Sequence, residues 1–191
     1  MSINIVSTLK KIKRRRVLII SAGTGVQRCI QYLYLFISNS WEIITHASIP
    51  YSPKIMKLFD KIHSVSSTNL TISDIALLDY HLSQFCVDSI NSITGKLPTS
   101  LKKPHYIIYN RYQLWKRITG ENYQQSYWDI SIGDPQLIAS SMTVPVITDF
   151  IHHNILAGGP GVLPLNPGNS IIASNSTGKV ALINLGIISH F

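Results

Sequence analysis

Carboxylates are scarce in this chain, with nine Asp and Glu against seventeen Lys and Arg over 191 residues. No closely paired acids occur, so glycosidase and carboxylate-bound metal hydrolase chemistry has no candidate residues. HExxH, CxxC and GxGxxG are absent, and Ser176-Thr177-Gly178-Lys179 lacks the upstream glycine of a P-loop. The two cysteines, Cys29 and Cys86, have no metal-ligand neighbours and read as free thiols of a cytoplasmic protein. No apolar run nears the roughly 18 residues that span a bilayer. The longest candidate, Tyr32 to Ile37, reads as a buried segment. Val17-Leu18-Ile19-Ile20, which follows the basic run, is too short for the apolar part of a signal peptide.

What is present suits one folded domain. Hydrophobic residues make up 45% and charged residues 14%, which excludes a disordered or collagen-like chain. Charge is concentrated rather than spread. Six of the seven residues from Lys10 to Arg16 are basic, and without them the formal net charge of +8 falls to +2. A run of this kind can meet nucleic acid or an anionic membrane. It reads first as a solvated arm over residues 1–16, and the lack of interleaved aromatics argues against a nucleic-acid partner. A mitochondrial presequence is disfavoured because few arginines are spread along the first sixteen residues.

Hydrophobic patterning predicts a mixed α/β sheet with flanking helices. Val17 to Ile20 is a buried strand closed by Ser21-Ala22-Gly23-Thr24-Gly25. Val26 to Phe36 favours strand by its aromatic content, with helix as the alternative, and Trp41 to Ile49 is a third strand. Three strands with short turns make an antiparallel meander. Ser52-Pro53 starts a helix with Ile55, Leu58, Phe59 and Ile62 on one face. A longer helix opens at Thr71 or Ser73 and runs through Ile75, Leu78, Leu82, Phe85, Cys86, Ile90 and Ile93 to Gly95. Tyr106 to Tyr109 is a fourth strand, and Trp128 to Ile132 is a fifth or a hairpin partner. Asp134-Pro135 starts a helix through Met142, Val144 to Thr148 is another strand, and Val180 to Leu185 is the last. Strands first, then helices alternating with strands, is the α/β order.

Four stretches occur in a telling order: Leu78 to Asn91, Ile130 to Pro135, Val144 to Gly161 and Leu182 to Ile187. Together they resemble the N-terminal half of the anhydro-N-acetylmuramic acid kinases, over roughly residues 17 to 191. That resemblance implies the ribonuclease H-like first domain of the actin-like ATPase and sugar kinase fold, spanning 17–175. It also implies that 176–191 is the first strand of a second domain that the chain otherwise lacks. The implied cofactors are ATP and magnesium, and the implied substrate is an amino sugar. The implied reaction uses ATP and water to open the 1,6-anhydro ring and phosphorylate the freed 6-hydroxyl.

The resemblance also assigns site residues. A Ser-Gly-Thr-Ser-x-Asp-Gly-x-Asp loop after the first strand corresponds to Ser21, Gly23, Thr24 and Gly25, with both aspartates missing. A loop of backbone donors attracts phosphate but holds a hard cation poorly without carboxylates. A tight turn between strands reads equally well. The family's His-Gly-Gln-Thr falls on Asn110-Arg111-Tyr112-Gln113, where Arg111 reads as a surface arginine. The motif Asp-Phe-Arg-x-x-Asp-x-Ala-x-Gly-Gly-x-Gly falls on Asp149 to Gly161. Asp149, Gly158, Gly159 and Gly161 are the implied substrate side. The base position holds Asn154, a neutral carboxamide that cannot deprotonate water. His152 and His153 are the nearest imidazoles but read as solvent-facing residues of a polar loop. Of the adenosine-side motif, Asn184 and Gly186 fit, while Ile187 replaces a glycine and His190 an asparagine.

The expectation is therefore a family member without its base, impaired in catalysis. The alternative is a non-catalytic sugar-binding or partner module. Either would leave room for a homo-oligomer or a complementary C-terminal chain as partner, while nucleic acid is not expected.

Overall fold

The first strand, β1 (Arg15–Ala22), is apolar without a break from Val17 to Ile20, and it is covered on both faces. Side chains alternate along a strand, so Leu18, Ile20 and Ala22 enter the main core while Val17 and Ile19 enter a smaller one on the opposite face. The computed structural model describes residues 14–23, 28–38, 40–63, 70–119 and 126–157.

β2 (Cys29–Ile37) and β3 (Trp41–Pro50) follow β1 as an antiparallel meander. On the other side β1 pairs in parallel with β4 (Tyr106–Asn110), which pairs in parallel with β7 (Val146–Ile147). The five-stranded order is β3-β2-β1-β4-β7, a mixed sheet. β5 (Tyr112–Thr119) and β6 (Ser126–Ile132) form a separate antiparallel hairpin, which settles the role of the segment around Trp128. β5 itself is an addition to the expected elements. β7 is shorter than the expected Val144–Thr148 because Pro145 has no N–H to give to a ladder. The Pro145 carbonyl still accepts from the Ile107 N–H at 3.0 Å.

Four helices flank this sheet among the described residues. α1 (Pro53–His63) buries Ile55 and Phe59, and Phe59 lies 5.2 Å from Tyr51 and 4.6 Å from Tyr112 between ring centroids. α2 (Ile72–Gly95) presents Leu78, Leu82, Cys86 and Ile90 to the main core, the face its spacing predicts. Its N-cap is Thr71, not Ser73. The Thr71 hydroxyl accepts from the Asp74 N–H while Asp74 reaches back to the Thr71 N–H, a reciprocal capping box. α3 (Pro135–Met142) is capped by Asp134 with proline at its first turn, and it ends on Thr143 in a left-handed conformation. α4 (Phe150–Leu156) occupies the segment read from sequence as the approach to a glycine-rich turn.

Candidate functional site

Because β1, β4 and β7 run parallel, their carboxyl ends meet at one edge of the sheet. In open α/β sheets this edge is where ligands bind. It brings together Ser21 and Gly23 at the end of β1, Asn110 and Arg111 at the end of β4, and Thr148 and Asp149 after β7. Ser21 is directly opposite Asn110 in the ladder.

Arg111 organises this edge. Its Nη1 donates to Asp149 Oδ1 at 3.0 Å, its Nε to the Gly133 carbonyl at 3.1 Å, and its Nη2 to the Ser131 carbonyl. One guanidinium thus joins the ends of β4, β6 and β7, using the fixed fork that makes arginine suited to such sites. The pair is partly shielded, with side-chain exposure of 21% for Arg111 and 35% for Asp149. Asp149 has φ of +59°, a left-handed conformation uncommon for a residue other than glycine. Its carbonyl accepts from the His153 N–H at 2.9 Å as α4 begins. The Thr148 Oγ1 is buried beside it and has no hydrogen-bond partner among the described residues.

A second layer fixes the turn that Arg111 grips. Asp79 Oδ1 accepts from the Gly133 N–H at 2.6 Å, and Ser83 Oγ accepts from the Asp134 N–H. Ser83 also donates to the Asp79 carbonyl at 2.6 Å. Gly133 has φ of +95°, and a Cβ there would lie 2.0 Å from the Tyr109 hydroxyl, so this position requires glycine. Two of the ordered sequence stretches, Leu78 to Asn91 and Ile130 to Pro135, are therefore hydrogen-bonded to each other. Asp79 and Ser83 escaped the sequence reading. Their signal was two polar residues four apart beside the buried Leu78 and Leu82.

Burial governs the ionisable groups beneath the site. The Cys86 thiol is pushed up to about 12, with the Tyr109 hydroxyl 3.6 Å away partly opposing the shift. Burial also raises Tyr109 well above the ordinary phenol value, and the nearby Cys86 adds to the effect. Neither group is available as a nucleophile or base near neutral pH.

The other site residues expected from sequence fall unevenly. Gly23 spends its N–H on the Cys29 carbonyl at 3.0 Å, and its carbonyl accepts from the Tyr51 hydroxyl at 3.3 Å. The first bond closes the β1–β2 connection, and the second ties Gly23 to the segment after β3. Asn154 is half-buried on α4, five residues beyond Asp149, while His152 and His153 are exposed on that helix rather than in a loop. Thr24, Gly25, Gly158, Gly159, Gly161, Asn184 and Gly186 lie outside the described residues, as does the strand expected over Val180 to Leu185. No group of three His, Cys, Asp or Glu side chains among the described residues is placed to hold a metal ion. Among the described residues at the ends of β1, β4 and β7, Asp149 is the sole acid, and Arg111 offsets its charge. That arrangement does not fit magnesium.

A family model for anhydro-N-acetylmuramic acid kinase matches residues 15–191. The chain belongs to that family. A relative described as anhydro-N-acetylmuramic acid kinase, from Sulfurimonas denitrificans, is 21% identical over 168 residues. The match covers 87% of this chain and 44% of that protein, so the chain spans less than half of the relative's length. No helix among the described residues is long and apolar enough to cross a membrane.

Proposed function

We propose that this chain carries the sugar-side half of an anhydro-N-acetylmuramic acid kinase fold and binds the amino sugar without performing the family's ring opening. The observation that carries this reading is the Asp149 carboxylate at the end of β7, held at 3.0 Å by Arg111. It keeps a carboxylate on the substrate side, while Asn154 stands five residues later where the family has its base. A fixed carboxylate with an oxygen to spare accepts from sugar hydroxyls, and the unpartnered Thr148 hydroxyl is suited to the same ligand. A carboxamide at the base position offers no proton acceptor of useful strength, and removal of general base catalysis costs roughly 10²–10⁴-fold in rate.

On this reading the arm ends where β1 begins at Arg15, and the ribonuclease H-like domain runs from there to residue 175. Residues 176–191 begin a second domain. ATP would approach Ser21 and the connection after β1. Magnesium has no suitable ligands among the described residues, and no step is assigned to it. The combination of a retained carboxylate and a missing base favours sugar binding over turnover.

The test incubates the purified chain with 1,6-anhydro-N-acetylmuramic acid and ATP, and follows the 6-phosphate product by mass spectrometry. No product above the protein-free control is expected. Turnover at the rate of a full-length relative measured in parallel would overturn the reading.

A further inference from the structure

β1 carries the candidate site at its carboxyl end, and its amino end lies roughly 23 Å away at the rise of an extended strand. Bases accumulate at that far end. Arg15 and Arg16 open β1, and Arg14 just before it is stacked 3.9 Å over the Phe36 ring and paired with Glu42. Arg16 Nε donates to the Lys103 carbonyl at 2.9 Å, and its backbone exchanges hydrogen bonds with His105. This brings Lys102 and Lys103, distant in sequence, beside the arginines. Both lysines are exposed and make no ion pair among the described residues.

The acids Asp60, Asp74, Asp79, Asp134 and Asp149 are engaged elsewhere, by Arg28, by Lys61 and at the strand-end site. In sequence, Lys10, Lys11 and Lys13 lead directly into Arg14. With those three, the three arginines and the two lysines set aside, the formal charge of +8 falls to zero. Less Glu42, which pairs with Arg14, that pole and its leading segment carry +7 of the net +8. His105, within that pole, has its imidazole held below the ordinary 6.5, first by burial and then by Arg16 and Arg15.

We propose that this basic pole, Arg14, Arg15, Arg16, Lys102 and Lys103, docks the protein on an anionic lipid bilayer. A bilayer suits it better than a nucleic acid for two reasons. Ile3, Ile5, Val6, Leu9 and Ile12 precede or interleave with the bases of the leading segment, and apolar side chains gain by entering the acyl boundary. The same sixteen residues contain no aromatic on which a base would stack. The strand-end site lies at the opposite end of β1, so docking leaves it facing away from the lipid.

The test is co-sedimentation of the full chain with vesicles of phosphatidylcholine alone or mixed with phosphatidylglycerol. Binding is expected to the mixed vesicles only and to weaken as salt rises. The double variant Lys102→Glu, Lys103→Glu should bind them more weakly by over roughly 25-fold, the cost of losing two lysine charges alone, with an unchanged melting temperature. Lys102→Gln, Lys103→Gln serves as a milder second variant, expected to lose less. Equal binding to neutral vesicles, no binding to either, or full binding by both folded variants would overturn the proposal. Retention on RNA without vesicle binding would overturn it in favour of a nucleic-acid partner.

Discussion

Arg111 and Asp149 face each other across the ends of two parallel strands, 3.0 Å apart, although 38 residues separate them in sequence. Asp149 makes this contact from a left-handed conformation at the mouth of α4. Arg111→Met should remove the charged partner and leave two carbonyls short of a donor. The expected loss is about 1–2 kcal/mol, since hydrogen bonds to charged groups are worth about 1.5–3 kcal/mol and this pair is partly solvated. Urea unfolding of Arg111→Met, Asp149→Asn and the double variant should give a coupling above about 0.5 kcal/mol. Additive losses would mean that the two side chains stand independently.

Gly133 and Tyr109 make a steric prediction. Gly133→Ala places a methyl 2.0 Å from the Tyr109 hydroxyl in a backbone conformation that alanine avoids. A loss of about 2–4 kcal/mol is expected from strain and overpacking together. Adding Tyr109→Phe removes the closest atom and should recover part of that loss, as read from melting temperatures. No recovery would mean that backbone strain alone sets the cost.

Helix α2 depends on its first turn. Thr71→Ala removes the hydroxyl that accepts from the Asp74 N–H, and about 1 kcal/mol should be lost. Ser73→Ala, outside the cap, should change stability far less. Equal effects would contradict the cap assignment.

The β1–β4 ladder is sensitive to pH at its start. The Arg16 N–H donates to His105 Nδ1 at 2.8 Å, which requires that nitrogen to be unprotonated. Burial and the neighbouring arginines hold the folded-state value below 6.5, so the unfolded chain binds the extra proton first as pH falls. Stability is then fully present above about pH 6.5 and is lost as pH falls through that value toward the folded one. His81, lowered by burial and by Lys54, contributes in the same direction. Melting temperatures between pH 7.5 and 5.5 should fall, and less steeply in His105→Gln. An unchanged slope in that variant would remove His105 from the account.

Much of this fold was legible because its strands and long helix obey simple periods. β1 to β4, α1, α2 and α3 followed from apolar runs, alternation and caps at Thr71 and Asp134. β5 was missed because an irregularity between Gln113 and Trp115 shifts its register and breaks the alternation. α4 was missed because seven residues are too few to show a helical period. At the site, Asp149 and Asn154 were readable from an ordered motif. The role of Arg111 was not, since its three acceptors come from β6, the turn after it and β7, which only the folded chain brings together.

On the proposed function, the strand-end site holds the amino sugar through Asp149. Calorimetric titration of 1,6-anhydro-N-acetylmuramic acid into the full chain and into Asp149→Asn tests it most directly. Saturable heat from the natural chain, with affinity at least about tenfold weaker in the variant, is the expected result, a tenfold change being about 1.4 kcal/mol. No heat at millimolar sugar, or equal affinity in both proteins, would contradict it.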